Sequence, residues 1–388
     1  MDFTEPESWT RLRAAAAEFA AGHVTRAAVE AERRSGDGVN REITRALGKR
    51  GWVAPAWPVA EGGAGLAPLE AAVLSSALRQ AGVPTTGHGT TMLPANAIRA
   101  LGSDHLKRRI LPGVAAGEIL ICLGYTEPGG GSDVFACVTT AERDGDTWIV
   151  NGQKVFTTFA HLADYCFLLT RSVPGSAGPR GLTMLLVPLD SPGIQVQAVR
   201  TIGHERTNIV YYTGVRVLDA DRVGEPHQGL AVMQAALAAE QNVAPASRTG
   251  EIAAHAVEFA RIQTGPDGGP LINDPLVRER LARMAMEAEV ADLLTLRAAF
   301  LDAAGERPGP VAALWGPESY LRAAAAALDL AGVAGLLDWT DPAAPVDGSL
   351  ASHYRSAVAT TIYGGSSEVL RSLIAEQRLG LPRSRPRR

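Results

Sequence analysis

Apolar residues recur at helical spacing through the first 117 or so residues. RLRAAAAEFAAGHVTRAAVEAERR is rich in helix formers, and LEAAVLSSALRQAG and NAIRALGSDHLKRRILPGVAAGEI repeat the pattern, with glycine and proline marking breaks. GWVAPAWPVAEGGAG, residues 51–65, predicts a loop between helices. From Glu118 the period changes. EILICLGYT, DTWIVNGQKVFTT, DYCFLLTR, GLTMLLVPL, GIQVQAV and NIVYYTGVRV read as strands, with RDGDT and VPGSAGPRG as hairpin connections. Beyond Val223 the chain returns to Ala- and Leu-rich helices, including LVRERLARMAMEAEVADLLTLRAAFLDAA and ESYLRAAAAALDLAGVAGLL. This order predicts an α+β chain with a helical domain over 1–117, a β domain over 118–223 and a second helical domain over 224–388. It is not the βαβ alternation of a dinucleotide-binding sheet.

Composition adds mainly exclusions. A chain of 388 residues is too long for one ordinary core, and 46% hydrophobic with 20% charged residues is ordinary for a globular protein. A net charge of −4 carries no basic footprint, so no nucleic-acid partner is expected. MDFTEPESWTRL is acidic and lacks the apolar core of a signal peptide. No apolar run reaches membrane-spanning length, so no membrane partner is expected and the cytoplasm is the default compartment. Cys122, Cys137 and Cys166 show neither metal-ligand nor disulfide spacing, and no metal is expected.

Two glycine-containing stretches carry candidate chemistry. CLGYTEPGGGSDV, residues 122–134, leaves a strand and enters three glycines. Backbone N–H groups there can bind a carbonyl or a phosphate, and Thr126 and Ser132 add hydroxyl donors. A tight turn explains the glycine run equally, and the loop lacks the lysine of a nucleotide-triphosphate motif. In TIYGGSSEVLRSLIAEQ, Gly364 and Gly365 precede a helix that Ser366 or Ser367 can cap, with Glu368 in its first turn and an apolar stripe from Val369 to Ile374.

TEPGGGSDV, NGQKVFTTFAHLADYCFLLTR and IYGGSSEVLRSLIAEQRLGLPR together resemble the acyl-CoA dehydrogenase family. GWVAPAWPVAEGGAG, LPGVAAGEI and VRVLDADRVGEPHQGLAVM fall in the family's order and spacing, so the likeness covers nearly the whole chain. It implies an N-terminal helical domain, a middle β-barrel-like domain and a C-terminal helical bundle. It also implies FAD as cofactor, an acyl-CoA substrate, an electron-transfer flavoprotein as acceptor, and a dimer or tetramer of like or unlike subunits. By position, Leu123, Tyr125, Thr126, Gly131 and Ser132 lie against the flavin. Phe156 takes the place of the family's tryptophan, and Thr158 that of the hydroxyl that bonds flavin N5. Gly332, Gly365, Ser366 and Glu368 belong to the cofactor by the same likeness. Taken without the motif, Phe156 and Thr158 read as an ordinary strand pair.

The family removes an α-proton from an acyl thioester while hydride leaves the β-carbon, and a backbone N–H at the Gly364 position holds the thioester oxygen. Many members carry a catalytic glutamate there, and this chain has glycine. Glu240 is the candidate substitute. On helical spacing it shares an apolar face with Met233, Ala236, Leu237, Val243 and Ala244, where burial raises a carboxyl toward the range of a general base. Pro245 loosens the helix just beyond. Taken alone, Glu240 also reads as a stripe-edge residue reaching water. Isovaleryl-CoA and long-chain acyl-CoA dehydrogenases place their base at the position matching Glu240 and have glycine at that of Gly364.

Departures from the family are local. Its Arg–x–x–Phe–Gly pattern is replaced by TGPDGGPL, with Thr264 and Asp267 at the matching Arg and Phe positions. LDLAGVAGLLD retains Gly332 and Gly335 without the usual glutamine and double glycine. These features are similar to those of members that degrade sterol side chains, some of which pair an active with a base-less subunit. The expectation is an FAD-dependent dehydrogenase of lipid or sterol catabolism that forms a 2,3-enoyl thioester. An inactive FAD-binding partner subunit, and a flavin oxidase or monooxygenase on the same fold, are the alternatives.

Overall fold

The computed structural model describes residues 5–240, 247–306 and 309–382, apart from the side chains of residues 238–240 and 247. Among these, six helices come first: α1 (Glu7–His23), α2 (Arg26–Ser35), α3 (Arg41–Lys49), α4 (Pro68–Gln80), α5 (Thr86–Leu101) and α6 (Asp104–Ala115). Eight strands follow: β1 (Ile121–Gly124), β2 (Thr140–Asp144), β3 (Thr147–Lys154), β4 (Tyr165–Arg171), β5 (Leu182–Pro188), β6 (Ile194–Arg200), β7 (Arg206–Leu218) and β8 (Arg222–Val223). Six helices complete the chain: α7 (Gly229–Glu240), α8 (Ser247–Ile262), α9 (Pro275–Ala303), α10 (Val311–Ala331), α11 (Ser349–Thr360) and α12 (Ser367–Gln377). The predicted succession of helices, strands and helices is present. The first helical stretch is interrupted at Thr25, which is extended (φ −83°, ψ 155°) and accepts from Ala28 N, so that α2 starts anew.

The chain forms two compact units, one of Ala17–Ala67 and Gly82–Ala239, the other of Met1–Ala16, Pro68–Ala81 and Glu240–Arg388. The first holds the sheet, in the order β6-β7-β3-β2-β4-β5-β8, with β1 parallel to β4. Phe167, Leu169, Met184 and Leu186 face a core shared with Ile98, Leu106 and Ile110 of α5 and α6. Their neighbours Cys166, Leu168, Leu185 and Val187 face a second core with Trp148, Val150 and Tyr212. Both faces of β4 and β5 are therefore buried, and their sequences are unbroken apolar runs. In β6, Ile194 and Val196 pack inward and Gln195 and Gln197 do not, the alternation of a half-exposed strand.

Turn chemistry sets the register. β2 and β3 meet through Gly145–Asp146, with Asp144 opposite Thr147 and Gly145 at φ 63°. Pairing of β3 with β7 slips at Val150–Gly152, where Gly152 adopts φ 144°. A Cβ on Gly152 would lie 2.6 Å from Thr139 Oγ1, so that site excludes a side chain.

In the second unit α4, α8, α9, α10 and α11 pack around Ile252, Phe259, Leu281, Met284, Tyr320 and Leu350. Ala256, Ala323, Ala324 and Ala327 line the same core, and their small side chains let the helix axes approach. Burial pushes the Glu251 carboxyl up, against the opposing pull of Arg248 and of Arg79 on α4. Among the described residues, no helix is long and apolar enough to cross a membrane.

Candidate active site

After β1 the chain turns tightly at Glu127–Pro128–Gly129–Gly130. Gly130 N donates to Glu127 O at 3.1 Å, and Glu127 N donates back to Gly130 O at 3.3 Å. The Glu127 side chain points inward, where Lys154, at the end of β3, is completely buried. Lys154 Nζ lies 2.7 Å from Glu127 Oε1. The same carboxylate accepts from Val138 N at 2.7 Å and Thr139 N at 2.9 Å. Burial pushes the Glu127 carboxyl up. The Lys154 charge, with hydrogen bonds from Lys154, Thr139 and Val138, outweighs this and holds it at about 2. Burial pushes the neighbouring Cys137 thiol up, which keeps it a donor to Glu127 Oε1 at 3.2 Å. Val155 N donates to Thr126 O at 2.9 Å. An ion pair and a backbone bond thus fasten the glycine loop to the end of β3.

Beyond Lys154 the backbone is strained. Phe156 adopts φ 55° and Phe159 φ 45°. For bulky residues that conformation costs on the order of 1–2 kcal/mol. Phe159 is fully buried, whereas Phe156 is 68% exposed. Between them Thr157 is pinned by two bonds: its N–H donates to Asn208 O at 2.9 Å, and Asn208 Nδ2 donates to Thr157 O at 2.9 Å. Thr158 is half-buried. On the loop opposite, Gly131 and Ser132 are exposed. A Cβ at Gly129 or Gly131 would meet nothing within 4 Å, and neither residue has positive φ. Packing and backbone conformation within this chain thus leave glycine unexplained at both positions. The backbone there is open to close approach from outside.

In the second unit, Gly364 (φ 68°) and Gly365 (φ 103°) form the turn before α12, which Ser367 N closes on Thr361 O at 3.0 Å. Ser366 is the cap, its hydroxyl accepting from Val369 N at 3.4 Å. The Glu368 carboxyl is held below its ordinary value, first by its own backbone N–H and then by the Ser366 hydroxyl. Gly364 is exposed, with Tyr363 and Ile362 exposed beside it. Gly332 closes α10 at φ 58°, ψ −141°, a conformation open essentially to glycine alone. Glu240 is the last residue of α7, and its side chain lies outside the described residues, as do Val243, Ala244 and Pro245. The 264–271 segment is a small hairpin: Gly265 N donates to Gly269 O at 2.7 Å and Leu271 N to Gln263 O at 2.8 Å.

Three family models match in succession: the acyl-CoA dehydrogenase N-terminal domain over residues 6–118, the middle domain over 122–215 and the C-terminal domain over 227–379. The chain belongs to the acyl-CoA dehydrogenase family. It is 34% identical over 357 residues to acyl-CoA dehydrogenase FadE26 of Mycobacterium tuberculosis, covering 89% of each chain. Among solved structures it is similar to the ChsE4-ChsE5 complex of Mycobacterium tuberculosis, with a TM-score of 0.90 and 32% identity over 99% of this chain and 100% of that one. A steroid acyl-CoA dehydrogenase, Tcur3481-Tcur3483, matches with a TM-score of 0.86 and 31% identity over 99% and 100%.

As a member of this flavoprotein family, the chain is an oxidoreductase acting on CH–CH bonds. Within the first unit the structure brings Tyr125 and Thr126 onto the end of β3, next to Phe156 and Thr158, and leaves Leu123 half-buried on β1. Gly332, Gly364, Gly365, Ser366 and Glu368 stand in the second unit, at the end of α10 and the start of α12, helices that pack together. Sequence reasoning passed over Glu127, Lys154 and Asn208. The available signal was that Glu127 and Lys154 are the charged residues inside TEPG and NGQK.

Proposed function

We propose that this chain is an FAD-dependent dehydrogenase that converts an acyl-CoA thioester to its 2,3-enoyl thioester. The observation that carries the reading is the side-chain-free edge at Gly129 and Gly131 beside the exposed, strained Phe156. These residues fit a flavin. The Phe156 ring is a stacking surface, Thr158 offers a hydroxyl for N5, and Thr126, Ser132 and the glycine N–H groups are donors for its polar atoms. Bound FAD would supply the acceptor for the β-hydride.

The chain's own residues do the rest. Glu240 takes the α-proton. In sequence it follows Met233 and Ala236, both buried, by seven and four residues, the spacing of one helix face. The Gly364 N–H holds the thioester oxygen as negative charge develops on it. With no side chain at 364, space is left for a branched or polycyclic acyl group, and the steroid enzyme among the relatives favours the polycyclic class. Reduced enzyme passes its electrons to an electron-transfer flavoprotein, and the cytoplasm is the compartment that goes with an acyl-CoA substrate.

Anaerobic mixing with straight, branched and steroid acyl-CoAs tests this reading. Bleaching of bound flavin is expected, fastest with the steroid thioester, with slow reoxidation by O₂. Rapid peroxide formation would point to an oxidase. Absence of bleaching with every thioester would favour an FAD-binding partner subunit, the reading suggested by the altered 264–271 hairpin and by the two-component relatives.

Assembly is part of the proposal. On α9, Met286, Val290 and Leu293 are exposed at spacings of four and three, an apolar stripe that Arg297 interrupts before Phe300, also exposed. A second copy or a homologous subunit is the proposed cover. Light scattering should report a dimer or tetramer, and a stable FAD-loaded monomer would overturn this part.

A further inference from the structure

A polar chain ties the Phe156–Phe159 segment to the helical part of its own unit. His161 Nε2 lies 2.7 Å from Asp37 Oδ1, and His161 Nδ1 lies 3.3 Å from Asn208 Nδ2. Asn208 is fully buried. Its Nδ2 also donates to Thr157 O, its backbone O accepts from Thr157 N, and its Oδ1 accepts from Arg206 Nε at 3.3 Å. With the Asn208 amide nitrogen facing the ring, His161 Nδ1 is the acceptor and Nε2 carries the hydrogen toward Asp37.

Asp37 is itself fixed. The preceding Gly36 caps α2 at φ 69°, donating its N–H to Glu32 O, while its carbonyl accepts from Arg206 N at 2.7 Å. A Cβ on Gly36 would lie 2.0 Å from His204 O, so the α2 terminus sits directly on the turn between β6 and β7. Asp37, His161 and Asn208 therefore join the end of α2, the segment after β3 and strand β7.

We propose that Asp37 and His161 are positioning residues for the flavin-facing segment. They hold Asn208 in the rotamer whose Nδ2 grips the Thr157 carbonyl, beside the backbone bond from Thr157 N to Asn208 O, and so set where the Phe156 ring and the Thr158 hydroxyl are presented. A strained conformation such as that of Phe156 persists only where its surroundings over-determine it, and this chain of contacts does so. The inference rests on the FAD reading given above.

The test uses the full-length protein with His161→Ala, Asp37→Ala and His161→Asn, in which the Asn oxygen replaces the Nδ1 acceptor. Asp37 lies in a loop, so its variant serves where His161→Ala fails to fold. In FAD-free protein, hydrogen exchange of the 155–160 amides should rise by ~10-fold or more in both alanine variants. In FAD-loaded protein, the dissociation constant for FAD should rise ~10-fold and the visible circular dichroism of bound flavin should change. His161→Asn should recover part of both, since it restores the acceptor for Asn208 but not the contact with Asp37. Unchanged exchange would overturn the linkage. Raised exchange with unaltered flavin dichroism and affinity would leave only a structural role and overturn the positioning. Wild-type protein that takes up no flavin would overturn the underlying FAD reading, and with it this role. That failure is visible in the flavin arm alone, because the exchange arm needs no cofactor.

Discussion

Glu240→Gln is expected to slow anaerobic flavin reduction by ~10²–10⁴-fold while leaving FAD and substrate bound. The amide is nearly the size of the carboxyl and still forms hydrogen bonds, but it cannot accept the α-proton. Single-turnover reduction is the measurement, since it separates chemistry from product release. Adding Gly364→Glu would place a carboxylate at the other family position, with the residue 364 N–H still available to the thioester oxygen. Part of the rate should return with small acyl chains and little with bulky ones, for the new side chain fills the space that Gly364 leaves open. Reduction of Glu240→Gln at the wild-type rate would make Glu240 a structural helix residue.

Lys154→Met should strongly destabilise the sheet-bearing unit. It leaves the Glu127 carboxylate buried without its cation, and breaking a buried pair in this way costs about 3–5 kcal/mol. Lys154→Met combined with Glu127→Gln removes the stranded charge, and should cost less than Lys154→Met alone. Urea unfolding of the wild type, Lys154→Met, Glu127→Gln and the double variant is the check. If the costs of the single changes simply add in the double variant, the pair does not couple.

The pH dependence has a defined sign. Glu127 is depressed from 4.5 to about 2 in the folded protein, so the unfolded chain binds its proton first as pH falls. The pair's contribution is whole above about 4.5 and fades toward about 2. The Lys154→Met protein should lack that acid-limb dependence.

The contrast between legible and hidden features has physical causes. β4 and β5 are long apolar runs because both faces are buried, and such runs are visible in a single sequence. β2, TAERD, has three exposed residues in five, and β8 is two residues long, so neither makes a hydrophobic pattern. Two serines precede the apolar stripe of α12, and only the extended backbone of Ser366 marks it as the cap. The glycine loop and Phe156 were legible because their residue types and order form a motif. Lys154 was not: a charged residue at the end of a strand ordinarily reads as facing water, and only the folded loop shows the carboxylate that receives it. Asp37 and His161 stand 124 residues apart, and only the docking of α2 on the β6–β7 turn brings them together.

The division of the second unit into three stretches of chain has a consequence during synthesis. Its first two pieces, Met1–Ala16 and Pro68–Ala81, leave the ribosome well before the stretch that begins at Glu240. Ribosomes add ~5–20 residues per second, so α4 waits roughly 11–45 s for α9, the last of its helical partners, to be made. During that interval Val73, Leu74 and Leu78, buried in the finished molecule, face solvent or a chaperone. The sheet-bearing unit ends at Ala239 and can close while translation continues. A nascent chain stalled far enough beyond residue 240 for β7 and β8 to have left the ribosome should therefore carry a folded sheet and an open helix α4, and the apolar face of that helix is then exposed to aggregation.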